Sequence, residues 1–266
     1  MPTEPTIQVE SSDGVAIAVW SSGSGDPLLL VHGTTADHTR WDGVLGELGE
    51  RFTVYTMDRR GRGRSGDSGR YLLEAEFDDV AAVVGAIGTD VNVLGHSYGA
   101  LCALEAARRT SALTGLILYE PPLGGANSPP EEWLADAQTK IDAGQREAVL
   151  LSFMTDIVGV PTDQLAALRE LPVWQARLAA VHTIPREFRA AVAYQFNPDE
   201  WSDLKIPVLL LSGSDTTWAP EPMSRLERAL HNTRVAVMPG QQHVAMDTAK
   251  PVFLEAVFNF FGAGRT

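Results

Sequence analysis

A serine set between two glycines is where chemistry is first legible. Gly95-His96-Ser97-Tyr98-Gly99 follows the apolar run Val91–Leu94 and precedes the small-residue stretch Ala100–Leu104. A serine on a sharp strand-to-helix turn is held in a strained backbone, so its neighbours at minus two and plus two must be small, and both are glycine here. The helix behind it directs N–H groups and positive dipole to where an oxyanion would form. Serine is a weak nucleophile at its ordinary pKa, so it needs a base, and the base needs an orienting acid. Six histidines are available: His32, His38, His96, His182, His231 and His243. His243 lies in Pro239-Gly240-Gln241-Gln242-His243-Val244, a loop directly after the last predicted strand and before the last predicted helix. The C-terminal edge of a parallel sheet collects the active site, and a base in that loop can meet Ser97. For the acid, Asp215 at the end of Leu211-Ser212-Gly213-Ser214-Asp215 is favoured, because the chain order Ser97, Asp215, His243 suits this kind of triad. Glu120 is the rival: it follows the strand Leu113–Tyr119 and faces the same edge.

These residues must be positioned by a sheet. Ile7–Glu10 and Val15–Trp20 flank Ser11-Ser12-Asp13-Gly14 and read as a hairpin. Pro27–Val31, Phe52–Met57, Val91–Leu94, Leu113–Tyr119, Ile206–Leu211 and Arg234–Met238 read as buried strands of the parallel type. Helical patterns over Glu74–Ile87, Tyr98–Arg109, Pro222–Leu230 and Pro251–Phe261 alternate with them. This alternation predicts an α/β fold: a mostly parallel eight-stranded sheet with helices on both faces and an antiparallel edge. The interval 122–200 breaks the rhythm, with helical patterning and no convincing strand. It is far longer than an ordinary loop of about 4–6 residues and predicts a helical cap inserted over the sheet edge. The expected division is thus a core of 1–121 and 201–266 with a 122–200 cap. Cap aromatics such as Trp133 and Phe153 are candidates to touch substrate. So are Trp41 and Trp218, in loops leaving two strands at the active edge.

Composition narrows the function further. The 266 residues carry 21 Lys+Arg against 34 Asp+Glu, a net charge of -13, with no basic run to attract nucleic acid or an anionic membrane. Apolar runs such as Leu28–Val31 and Val208–Leu211 are far too short to span a bilayer. Met1-Pro2-Thr3-Glu4 shows no secretory leader, and the single cysteine, Cys102, permits no internal disulfide and no Cys cluster for a metal. The expectation is a cytoplasmic protein without metal or cofactor, a monomer or homodimer, whose partner is a small hydrophobic substrate. Cys102 reads as a buried small hydrophobe.

With these residues in hand, the chain resembles the α/β-hydrolase fold superfamily, specifically its cap-bearing esterase-like and haloperoxidase-like serine hydrolases. The likeness runs over nearly the whole chain: His32-Gly33, Asp58-Arg59-Arg60-Gly61-Arg62-Gly63-Arg64-Ser65, the serine turn, the Asp215 turn and the His243 loop. It implies an oxyanion hole from the backbone N–H groups of Thr34 and Tyr98, and a bracing role for His32. It assigns the Arg59–Arg64 segment to a structural turn whose arginines pair with acidic neighbours. It also implies acyl transfer on a small hydrophobic ester or lactone. C–C bond hydrolysis, thioester hydrolysis and perhydrolysis with the same triad fit equally, and a non-catalytic ligand sensor is the reading from outside enzymology.

Overall fold

The computed structural model describes residues 4–126, 128–158, 162, 165–170 and 173–262. Eight strands form one sheet: β1 (Ile7–Glu10), β2 (Ala16–Gly23), β3 (Asp26–Val31), β4 (Phe52–Met57), β5 (Val91–His96), β6 (Leu113–Tyr119), β7 (Val208–Gly213) and β8 (Thr233–Met238), in the order β1-β2-β4-β3-β5-β6-β7-β8. β2 pairs antiparallel with β1 and with β4. From β4 to β8 every pairing is parallel.

The apolar runs are continuous because both faces of the sheet are covered. Alternate side chains of one strand enter opposite cores. Leu29, Val31, Val93, Leu116, Leu118 and Leu210 join one cluster, with Val80 and Val84 of α2 (Leu73–Ile87) and Leu101 of α3 (Tyr98–Ala106). Leu28, Leu30, Leu94, Ile117, Leu209 and Leu211 join the other, with Leu48 of α1 (Leu45–Gly49) and with Phe253 and Val257 of the C-terminal helix Lys250–Gly262. A strand period of two thus feeds two cores at once.

Between β6 and β7 every described element is helical. These are α4 (Glu131–Asp142), α5 (Arg146–Ser152) running into a π-turn at Phe153–Ile157, α6 (Leu165–Arg169), α7 (Val173–Ala180) and α8 (Ile184–Ala193). This segment has its own apolar cluster, with Leu150, Phe153, Met154, Trp174 and Ile184 at its centre. Its two ends, at Leu123 and at Ala191, Phe196 and Trp201, pack into the main core instead. A buried ionic group fastens it to the sheet: Glu187 of α8 accepts from Arg62 and from Arg59 (2.5 Å), and Arg59 is also paired with Glu76 (2.7 Å). Burial works against the Glu187 charge, but Arg59 and Arg62 hold its carboxyl below the ordinary range. The Arg59–Arg64 segment therefore makes ion pairs: Arg60 takes Asp79 and Asp13, and Arg64 takes Glu4.

Candidate active site

The serine turn is built by close approach. A side chain at Gly99 would place its Cβ 2.4 Å from the carbonyl oxygens of Val31 and His32, and one at Gly95 would lie 2.5 Å from Ala100 Cα. Only glycine permits α3 to start this close to β3 and β5. Ser97 itself sits at φ 56°, and Thr35 and Glu120 share this left-handed conformation at φ 57° and 48°. All three lie just beyond the C-terminal ends of neighbouring strands, where strain of this kind accompanies function. Ser97 retains exposed surface while its neighbours His96 and Tyr98 are buried.

Gly33 brings the loop after β3 against the nucleophile, since a Cβ there would stand 2.9 Å from Ser97 Cβ. Beside it, the N–H groups of Thr34 and Tyr98 donate to no acceptor among the described residues. His32 braces the loop: its Nδ1–H donates to the Gly33 carbonyl (2.9 Å) while its Nε2 accepts the Arg59 N–H (3.2 Å). Burial and the nearby Arg59 and Arg62 charges push His32 well below the usual histidine range, so it stays neutral.

Strand register decides which carboxylate meets His243. His96 of β5 is level with Tyr119 of β6, so the next residues, Ser97 and Glu120, emerge side by side. Glu120 is wholly buried, and its two oxygens are both committed: Oε1 accepts the Gly213 N–H (2.8 Å) and Oε2 accepts from Nδ1–H of His243. Asp215, the residue expected from the sequence, does not reach His243. Tyr119 is level with Leu211, and β7 stays paired to β8 through Ser212 and Gly213. Asp215 therefore emerges three residues further along than Glu120, about 10 Å of extended chain, and is exposed. There it braces the histidine loop: its N–H donates to the Gln241 carbonyl (2.9 Å), and its carboxylate accepts from Ser214 Oγ, which in turn accepts the Gly240 N–H.

His243 is clamped from both sides. The Tyr119 hydroxyl donates to the Gln242 carbonyl and accepts the Ala245 N–H (3.0 Å), while His96 Nε2–H donates to the carbonyl of His243 itself (2.8 Å). The His96 and His243 rings lie 4.6 Å apart. Burial, then the His243 and Arg40 charges, keep His96 far below the usual histidine range and hence neutral. Among the described residues no hydrogen bond joins Ser97 Oγ to the His243 ring.

The expected substrate contacts divide. Trp218 stands edge-on to His243 with ring centres 5.2 Å apart. Trp41 is wholly buried in the core beneath the sheet edge, with no surface to offer a ligand. Phe153 is buried inside the helical segment, and Trp133 packs beside it and donates from Nε1 to Ser152 Oγ (2.8 Å). Both belong to that segment's own core. Asp37, His38 and Asp58 are the one group among the described residues close enough together to hold a cation. Their atoms already serve the loops: Asp58 accepts from the His38 N–H and ring and from the Arg64 N–H, and Asp37 from Thr39.

Comparison with known proteins agrees with this architecture. The model of the alpha/beta hydrolase family matches residues 28–256. An alpha/beta hydrolase from Sphaerobacter thermophilus superposes with a TM-score of 0.80 at 33% identity, covering 94% of this chain and all of that one. A 2-(acetamidomethylene)succinate hydrolase from Mesorhizobium japonicum is 24% identical across 94% of this chain and 92% of its own. A probable oxidoreductase of Mycobacterium tuberculosis is 40% identical over 111 residues, 39% of this chain, and that match covers only 19% of the relative's length. No helix among the described residues is long and apolar enough to cross a membrane.

Proposed function

The chain belongs to the alpha/beta hydrolase family, and on that footing we propose that it is a serine hydrolase that cleaves a small ester or lactone through an acyl-enzyme. The observation that carries the reading is the buried Glu120 carboxylate on His243 Nδ1, beside a strained serine flanked by two unused N–H donors. Such a carboxylate fixes the tautomer that leaves His243 Nε2 bare to accept a proton.

In the proposed reaction Ser97 Oγ attacks the carbonyl carbon and its proton passes to His243 Nε2. The carbonyl oxygen becomes an oxyanion held by the Thr34 and Tyr98 N–H groups; one such donor is typically worth about 10²–10³ in rate. His243 gives its proton to the leaving alkoxide as the C–O bond breaks. Water then repeats the sequence on the acyl-enzyme and frees the acid and Ser97. Substrate binding draws Ser97 Oγ and the ring into hydrogen-bond reach, as such contacts often tighten only in the reactive complex. Trp218 forms a wall of the pocket, and the helical segment between β6 and β7 serves as the cap that excludes water.

The test is ester turnover combined with covalent labelling. Wild-type protein should hydrolyse short p-nitrophenyl esters and gain the mass of one fluorophosphonate adduct. Ser97→Ala should do neither while melting at nearly the same temperature. Full turnover by Ser97→Ala would overturn the assignment.

A further inference from the structure

One cation near the nucleophile lacks a counter-charge. Arg177 of α7 crosses from the helical segment to the loop after β3, where Nη1 donates to Thr35 Oγ1 (3.1 Å). A guanidinium carries five N–H donors in a planar fork suited to carboxylate. Among the described residues this is the only hydrogen bond Arg177 makes, and no carboxylate lies within ion-pair distance of it. The other half-buried or buried arginines that join this segment to the sheet are matched: Arg59 and Arg62 by Glu187, and Arg186 by Asp67 (2.8 Å).

Its surroundings sharpen the point. Arg40 is nearby, but it is held bidentate by Asp247 (2.8 Å to each oxygen), and Asp37 accepts from Thr39. Burial and the Arg40 charge pull Arg177 down to about 10, while Asp247 and Asp37 oppose that shift. It stays protonated at neutral pH and keeps part of its surface exposed, so its free N–H donors can be reached by an anion. Its position adjoins the serine turn: Thr35 lies two residues after Gly33, where a Cβ would stand 2.9 Å from Ser97 Cβ. Thr35 is itself buried and at positive φ; its hydroxyl accepts from Arg177 and keeps its own O–H to donate.

We propose that Arg177 and the Thr35 hydroxyl form a carboxylate subsite, so that the ester cleaved at Ser97 carries a free carboxylate close to its acyl carbon. This rests on the serine-hydrolase reading above and replaces a purely apolar acyl group with an acidic one, the half-ester of a short dicarboxylic acid being the simplest case. The anion is drawn in by Arg177, despite the protein's net charge of -13, because the guanidinium acts at short range where solvent screening is weak.

The decisive assay compares initial rates, by pH-stat, on monoethyl succinate, glutarate and adipate against ethyl pentanoate. For wild type, kcat/KM on the best half-ester should exceed that on the neutral ester at least tenfold. Arg177→Gln should shrink that ratio by about 10–10²-fold, the range of one charge-assisted contact, and Arg177→Lys should fall between. An equal ratio in wild type and Arg177→Gln, or both rates falling together, overturns the subsite. Binding of glutarate by titration calorimetry reads the same site without turnover: wild type should bind, and Arg177→Gln should bind at least tenfold more weakly. No glutarate binding by wild type also refutes the proposal. Retained ester turnover by Ser97→Ala would instead refute the hydrolase assignment, with glutarate binding still deciding the subsite.

Discussion

Glu120→Gln isolates the contribution of one charge. The side chain is wholly buried between β6 and β7, so an isosteric amide keeps the volume and avoids a cavity. Glutamine can still present an oxygen to the Gly213 N–H, now 2.8 Å from Glu120 Oε1. Its NH₂ then faces His243 Nδ1, in the place of the carboxylate oxygen. Two losses follow. The ring is driven to carry its proton on Nε2, where it cannot accept one from Ser97. The imidazolium that forms during attack also loses its neighbouring anion. Two unit charges about 4 Å apart at an effective dielectric near 20 attract by about 4 kcal/mol, or about three decades in rate. With the tautomer effect, kcat should fall by about 10³–10⁴, the scale seen when a triad carboxylate becomes an amide. The assay is kcat on a short p-nitrophenyl ester beside a thermal melt, which should move little. Asp215→Asn is the matched control, since Asp215 is exposed and bonds Ser214; it should stay within about threefold of wild type. If Asp215→Asn loses more than Glu120→Gln, the acid belongs on β7 and the register argument fails.

Two further outcomes concern stability. His32 and His96 are both kept neutral in the fold, well below the value they regain on unfolding. Burial lowers His182 as well, so below about pH 6.5 the unfolded chain binds at least two protons that the native one refuses, and stability falls as pH drops. His38 is displaced the other way: burial opposes its charge, but Asp58 raises it, so its contribution changes above pH 6.5 and is constant below. Urea unfolding should thus lose stability with a slope approaching about 2.7 kcal/mol per pH unit below pH 6.5; a flat curve from pH 6.5 to 5 would count against both assignments. Glu187→Gln removes the shared anion between Arg59 and Arg62, leaving buried positive charge undercompensated. It should destabilise by about 3–5 kcal/mol, and a loss under 1 kcal/mol in the same measurement would show that the group does not anchor the helical segment.

What could be read from sequence was what local geometry dictates. The serine turn was legible because Gly95 and Gly99 answer to collisions within a few residues and with the adjacent strand, and these constraints leave a fixed spacing. The strands were legible because Leu28–Val31 and Leu209–Leu211 feed two cores, which demands unbroken apolar runs. The contact of Glu120 with His243 was not legible, because it depends on where β7 ends. Hydrophobicity stops at Leu211, so the run reads as closing there and Asp215 as the first acidic residue past it. Pairing with Val237 and Met238 carries the strand through Ser212 and Gly213, polar and small residues that no period of two would assign. That extension takes Asp215 away from the nucleophile and turns the Gly213 N–H toward Glu120. Trp41 was misread for a related reason: a loop position gives no sign of whether the ring turns out to a ligand or in to Leu48 and the sheet. Arg177 left still less trace, since one arginine in a helix looks like any solvated charge. Its meaning lies in what surrounds it, a core arginine already neutralised by Asp247 and a threonine beside the nucleophile. In this fold the strained serine turn is written in the local sequence, whereas the carboxylate that meets His243 is set by strand register, and the Arg177–Thr35 contact by a residue about 80 positions from Ser97.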